Sequence, residues 1–173
     1  MRMPWRRIAA WLIDWLCILG WVAATAAVGV PLYLTGVIAP SGLLLLNVIG
    51  AVVIVVPVVI GASLFESAGR AATPGKRALR LRVESRGVRP SFPRAIARNA
   101  LKLGVPWLIG HSAAFAISTQ SASGSGVTAA TWALTAFAYV VPIAYVISLF
   151  LPHGRTPYDL VARTEVAPVT RVN

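Results

Sequence analysis

Long apolar blocks fill most of this chain, and charge is confined to the stretches between them. The blocks are continuous rather than periodic, so they read as membrane spans and not as one face of a soluble helix. A first helix is predicted from about Trp5 to about Val30, with Pro4 suited to its first turn. Pro31 and Gly36 then mark a short uncharged loop to about Pro40. A second helix is predicted from Gly42 to Phe65, kinked where Pro57 removes a backbone hydrogen bond. The third is predicted from about Ala95 to Ser118. Its fully apolar core, Leu103 to Ile117, is short for a span of about 20 residues, so Arg94, Arg98 and Lys102 are expected to snorkel to the interface. Gly104, Pro106 and His111 allow it a broken or tilted course. The flexible loop Gln120–Gly126 leads to a fourth helix from about Thr128 to Leu151, kinked at Pro142 and ended by Pro152-His153-Gly154.

Two polar segments break this pattern. From Glu66 to Arg94 the chain is basic and loop-like. Thr73-Pro74-Gly75-Lys76 reads as a turn opening a short element; it lacks the spacing of a phosphate-binding loop. Leucine and valine alternate with arginine from Leu79 to Val83, the period of a strand. With Arg86-Gly87 as a tight turn, Val88 to Phe92 is expected to return as a second strand of a surface hairpin; an interfacial helix from Gly75 to Val83 is the alternative. The tail from Arg155 to Glu165 is a short amphipathic element carrying Asp159, and it is expected to meet the basic segment on one membrane face.

Composition agrees with a membrane chain. Of 173 residues, 57% are hydrophobic and 12% charged, about half the charged share of a soluble domain. Four spans leave no room for a separate soluble unit, so a single domain over residues 1–173 is expected. The formal charge of +11 points to anionic lipid headgroups rather than nucleic acid, because the arginines flank apolar blocks. All sixteen Lys and Arg lie in the N-terminus, the 66–102 region and the tail, so the positive-inside rule puts both termini and the basic loop in the cytoplasm of a multi-pass cell-membrane protein. Met1 to Val30 has the outline of a signal peptide, but Asp14 in its middle favours a retained helix. Cys17, the single cysteine, allows no internal disulfide and no thiolate metal site, and no cofactor is expected.

The candidate chemistry begins at Asp14. From Ile8 to Tyr33 it is the only charged residue, and a carboxylate at a helix centre in hydrocarbon costs on the order of 2.5–3.5 kcal/mol. Arg7, seven positions earlier, shares its helix face at roughly 10 Å along the axis, so both can line one polar seam. An ion, proton or substrate site and a packing anchor are both open readings. His111 could carry a proton, although an interfacial hydrogen bond is the simpler role. An internal repeat adds to the picture. Pro57 to Arg70 lies over Pro142 to Arg155 with six of fourteen positions identical, and the same offset of 85 sets Asp14 over Asn99. The units would be 1–94 and 95–173, two helices each, related by an axis along the membrane normal.

These residues resemble the RDD family of bacterial membrane proteins. The resemblance rests on Arg7, Asp14, Thr73-Pro74-Gly75-Lys76 with Leu81-Arg82-Val83, the pair Arg98-Asn99, and Arg155-Thr156-Pro157-Tyr158-Asp159 with Thr164. The arginine and two aspartates of the family name fall on Arg7, Asp14 and Asp159. Ala78 and Ala162-Arg163 depart from the usual glycines nearby. The block lengths make this an all-α protein of four transmembrane helices, and the resemblance implies transport of an unidentified ligand, with cation/proton exchange suggested for some members. On that reading Asp14 binds a proton or cation while Arg7 and Asp159 shape the cytoplasmic mouth. Arg70 and Arg155, leaving their helices at one level, would join them. The alternative is a non-catalytic scaffold or accessory subunit, supported by small size, a large basic surface and the expectation of no second buried acid. No nucleophile set or paired membrane acids suggest an enzyme. A homo-oligomer or a partner membrane protein would enlarge the little space four helices enclose.

Overall fold

The computed structural model describes residues 3–39 and 42–169. Four helical rods are long and apolar enough to cross a membrane: Pro4–Leu34, Leu44–Ser67, Phe92–Ala122 and Ala129–Ser148. This is an all-α membrane protein whose only sheet, among the described residues, has two short strands.

The first rod, α1 (Pro4–Leu34), runs four residues past the predicted end and carries Pro31 inside it. The loop expected to begin at Pro31 is therefore the last helical turn. The stop comes at Gly36, whose φ of +73° a residue with a Cβ adopts only at a cost. Pro40, the expected end of the loop, lies outside the described residues.

The second rod is α2 (Leu43–Gly50) and α3 (Val56–Ser67), joined through one π-helical turn, Ala51–Val55. Pro57 stands two residues after that turn. Its missing N–H leaves the Val53 carbonyl short of its helical donor, and the Trp21 indole N–H donates to that carbonyl at 3.1 Å. The third rod also has a π turn ahead of a proline. There α5 (Phe92–Asn99) and α6 (Val105–Ala122) flank a π turn, Ala100–Gly104, just before Pro106, and the Tyr145 hydroxyl donates to the Leu101 carbonyl at 3.0 Å. The rod spans Phe92 to Ala122, longer at both ends than predicted. The fourth, α7 (Ala129–Ser148), is capped by Thr128 and contains Pro142.

Each Thr-Pro opens a five-residue helix, α4 (Pro74–Ala78) and α8 (Pro157–Val161), and each is followed by a strand, β1 (Leu81–Glu84) and β2 (Glu165–Pro168). The predicted surface hairpin is not formed. β1 pairs antiparallel with β2 from the tail, Leu81 opposite Pro168 and Glu84 opposite Glu165. The turn at Arg86-Gly87 closes only an isolated bridge between Ser85 and Val88. Pro90 and Pro93 cannot donate to a ladder, and Phe92 already opens the third rod. Of the alternative helix over Gly75–Val83, only α4 forms. Leu81 and Val83 are buried while Arg82 is exposed, as the alternation required. α1 packs on α4, α5 packs on α3 and α8, and α6 packs on α7.

Candidate functional site

At the basic end of the rods six charged side chains alternate in sign. Arg7 donates to Asp159 Oδ2 at 2.6 Å and also to the Gly154 carbonyl. Arg98 Nε donates to Asp159 Oδ1 at 2.8 Å, and its Nη1 reaches both Glu66 oxygens at 2.7 and 2.9 Å. Lys76 Nζ donates to Glu66 Oε1 at 2.7 Å and lies 4.0 Å from Asp14 Oδ2. The order is Arg7, Asp159, Arg98, Glu66, Lys76, Asp14. Three cations face three carboxylates, so this ionic ladder is neutral as a whole. Neutrality is what makes such depth tolerable, since an isolated ion there would keep a large desolvation cost.

The six side chains come from five elements. Arg7 and Asp14 stand on α1, Glu66 on the last turn of α3, Lys76 on α4, Arg98 on α5 and Asp159 on α8. Asp14 accepts from the Thr73 hydroxyl at 2.7 Å and from the Gly75 backbone N–H at 2.8 Å, so it docks the start of α4 onto α1. Gly75 is needed for this approach. A Cβ there would collide with the Ala10 carbonyl oxygen and stand 2.9 Å from Asp14 Oδ1. Asn99 completes the centre, donating to Glu66 Oε2 at 2.9 Å and Ser63 Oγ at 3.3 Å. The Arg98 guanidinium also lies over the Tyr158 ring, 5.2 Å from its centroid, a favourable cation–π placement.

Burial pushes the Lys76 ammonium down to about 8, with Glu66 acting in the opposite sense. Burial also works against the Asp159 carboxylate, but Arg98 and then Arg7 more than offset it, and its pKa lies below the ordinary value.

Of the residues singled out from sequence, Arg7, Asp14, Asp159, Thr73, Gly75, Lys76, Arg98 and Asn99 come together here. Arg7 and Asp14 do share a face of α1, yet they bond to opposite ends of the ladder. Arg70 and Arg155 do not join it. Both are exposed while their neighbours Ala71, Gly154 and Thr156 are buried, so their side chains face outwards, and Arg155 instead pairs with Glu165 at 2.6 Å. The expectation of no second buried acid is overturned. Glu66 and Asp159 are both 0% exposed. The sequence pattern puts Glu66 at the start of a loop, whereas it stands on the last turn of α3. The signal for it was scarcity: it is one of five acids in the chain, placed where an apolar block ends. Away from the ladder, His111 Nδ1 lies 3.1 Å from Asn47 Oδ1 and stacks on Trp107 with ring centroids 4.0 Å apart.

The ladder forms one end of a cavity of about 400 Å³. Its charged lining is Arg7, Asp14, Lys76, Arg98 and Lys102, and its walls are apolar side chains of α1, α3, α6 and α7, including Trp11, Trp107 and Pro142.

The sequence profile of the RDD family matches residues 2–163. No curated protein and no solved structure matches the chain.

Proposed function

The chain belongs to the RDD family, and on that premise we propose that it is a small ion-coupled carrier of the cell membrane whose ionic ladder closes the basic end of a substrate cavity. The observation that carries this reading is the meeting of a largely apolar cavity of about 400 Å³ with Asp14, Lys76 and Arg98 at one end. That volume falls within the usual size of small-molecule sites, which combine apolar walls with a few convergent polar groups. A ladder that only fastened helices together would need no cavity beside it.

Asp14 is the acid for the coupled ion. Its side chain keeps 13% exposure, against none for Glu66 and Asp159. As a carboxylate it accepts charge-assisted hydrogen bonds from Thr73 and Gly75; a proton or cation on it weakens both. α4 then loosens from α1 and the basic end of the cavity opens. Arg7, Arg98 and Asp159 hold the other side of the mouth. The basic face lies in the cytoplasm by the positive-inside rule, with anionic headgroups against the basic 70–94 loop.

The scaffold reading draws on the same ladder, since every carboxylate in it is bonded. The two readings differ on water. Ile18 lines the cavity one turn beyond Asp14. In a Cys17→Ser background, a membrane-impermeant thiol reagent should modify Ile18→Cys. If Ile18→Cys stays unmodified where the exposed Ser123→Cys reacts, the cavity is sealed and the scaffold reading replaces the carrier. Reaction of Ser123→Cys only from the cytoplasmic side would reverse the orientation.

A further inference from the structure

Two cavities flank α1. The one of about 400 Å³ has α7 on its far wall, with Ala138, Pro142 and Val146. The other, about 340 Å³, has α3 on its far wall, with Pro57, Gly61 and Ala62. Both are lined by Asp14, Trp15, Lys102 and Leu103, so they adjoin at the level where charge gives way to apolar wall.

Two groups at this junction are left over by the ladder. Lys102, in the π turn beyond Arg98, makes no hydrogen bond or ion pair among the described residues. Each carboxylate of the ladder already has a nearer cation, so Lys102 feels Glu66, Asp14 and Asp159 only at longer range. Trp15 Nε1 is buried with no acceptor, although a buried indole N–H ordinarily has one and leaving it unpaired is costly. Asp14 also lines the junction, but its oxygens are held by Thr73 and Gly75 and its charge is offset by Lys76 at 4.0 Å. An amine and an indole N–H, neither with a hydrogen-bond partner, beside apolar space within a membrane-spanning bundle suit one kind of ligand, an anionic head on an apolar tail.

We propose that the adjoining cavities bind an anionic membrane lipid, its phosphate at Lys102 and Trp15 and its acyl chain along Ile54, Leu103 and Trp107. Lysine is a common phosphate partner, acting as a point charge. The proposal names the substrate class of the carrier and rests on that reading for movement of the lipid only. Binding is tested without any transport.

Delipidated protein in detergent is offered phosphatidylglycerol and phosphatidylcholine in equal amounts, and bound lipid is read by native mass spectrometry. The wild type should retain one phosphatidylglycerol in preference to phosphatidylcholine. Lys102→Gln should lose the preference and Lys102→Arg should keep it. Ala138→Phe, which fills the α7 wall with no change of charge, should reduce binding of both lipids and gives a reading even if Lys102→Gln fails to fold. Arg163→Gln, on the exposed basic surface of the tail, should behave as wild type. Absence of a preference in the wild type overturns the proposal. So does wild-type binding in both Lys102→Gln and Ala138→Phe, and so does an Arg163→Gln loss equal to that of Lys102→Gln, which would place the lipid on the outer surface. Intact binding in a protein that shows no ion flux removes the carrier and leaves the lipid site standing.

Discussion

Arg98 and Glu66 form an ion pair sealed from solvent: one guanidinium nitrogen reaches both carboxylate oxygens, and the side chains are 1% and 0% exposed. Removing one member of such a pair leaves the other charged and unmatched, at a cost of about 3–5 kcal/mol. Glu66→Gln leaves Arg98 with Asp159 alone and Lys76 with only Asp14 at 4.0 Å, so a loss approaching that range is expected. Glu84→Gln breaks only the half-exposed contact with Arg82, which is worth about 0–1 kcal/mol. Unfolding in detergent compares the two; equal losses would mean that the ladder does not hold the basic end together.

Gly75→Ala should destabilise by roughly 1–3 kcal/mol, the usual range for overpacking, because the new methyl meets the Ala10 carbonyl and crowds Asp14. Gly61 is the control, since a Cβ there meets nothing within 4 Å. Gly61→Ala should leave the melting temperature unchanged or raise it slightly, as alanine is the better helix former.

Asp159 and Lys76 set the limbs of the stability–pH curve. Arg98 and Arg7 hold the Asp159 pKa below its ordinary 3.8 despite burial. A folded pKa below the unfolded one gives stabilisation that is complete above about pH 4 and lost as pH falls further. Lys76, pushed by burial from 10.5 down to about 8, is deprotonated in the folded state before the unfolded one. Stability from this group should therefore rise as pH climbs from about 8 towards 10.5. Melting followed across pH should show the acid limb flattened in Asp159→Asn and the alkaline rise absent in Lys76→Gln. An acid limb unchanged in Asp159→Asn would contradict the assignment.

Val83 and Val166 are opposite partners in the β1–β2 pair, and partners across an antiparallel pair lie at distances a disulfide can bridge. In a Cys17→Ser background, Val83→Cys with Val166→Cys should crosslink on mild oxidation. Leu81→Cys with Phe92→Cys, neighbours only in a local hairpin, should not. The reverse result would restore the hairpin.

What could be read from the sequence was whatever depends on one segment at a time. The four spans follow from block length, and the burial of Leu81 and Val83 follows from alternation. Alternation says which face of a strand is covered but not which strand pairs with it, and only Pro90 and Pro93 argued against the local partner. Helical spacing likewise set Arg7 and Asp14 on one face without saying that Asp159 and Thr73 pack against that face. Glu66 was misread because acids at the end of an apolar block are usually solvated. Its partners Lys76, Arg98 and Asn99 lie 10 to 33 residues along the chain, beyond any local pattern. The prolines at 57 and 106 signalled broken helices, but the groups that satisfy the carbonyls near them, Trp21 and Tyr145, come from other rods.

The most direct test of the carrier is ion movement through Asp14. Purified protein is reconstituted into vesicles with a trapped pH dye, and a sodium or potassium gradient is imposed across the membrane. Wild type and Glu84→Gln should exchange cation for proton and change the internal pH, while Asp14→Asn, folded by circular dichroism, should match empty vesicles. Exchange in Asp14→Asn at the wild-type rate, or none in the wild type with either cation, would contradict the account.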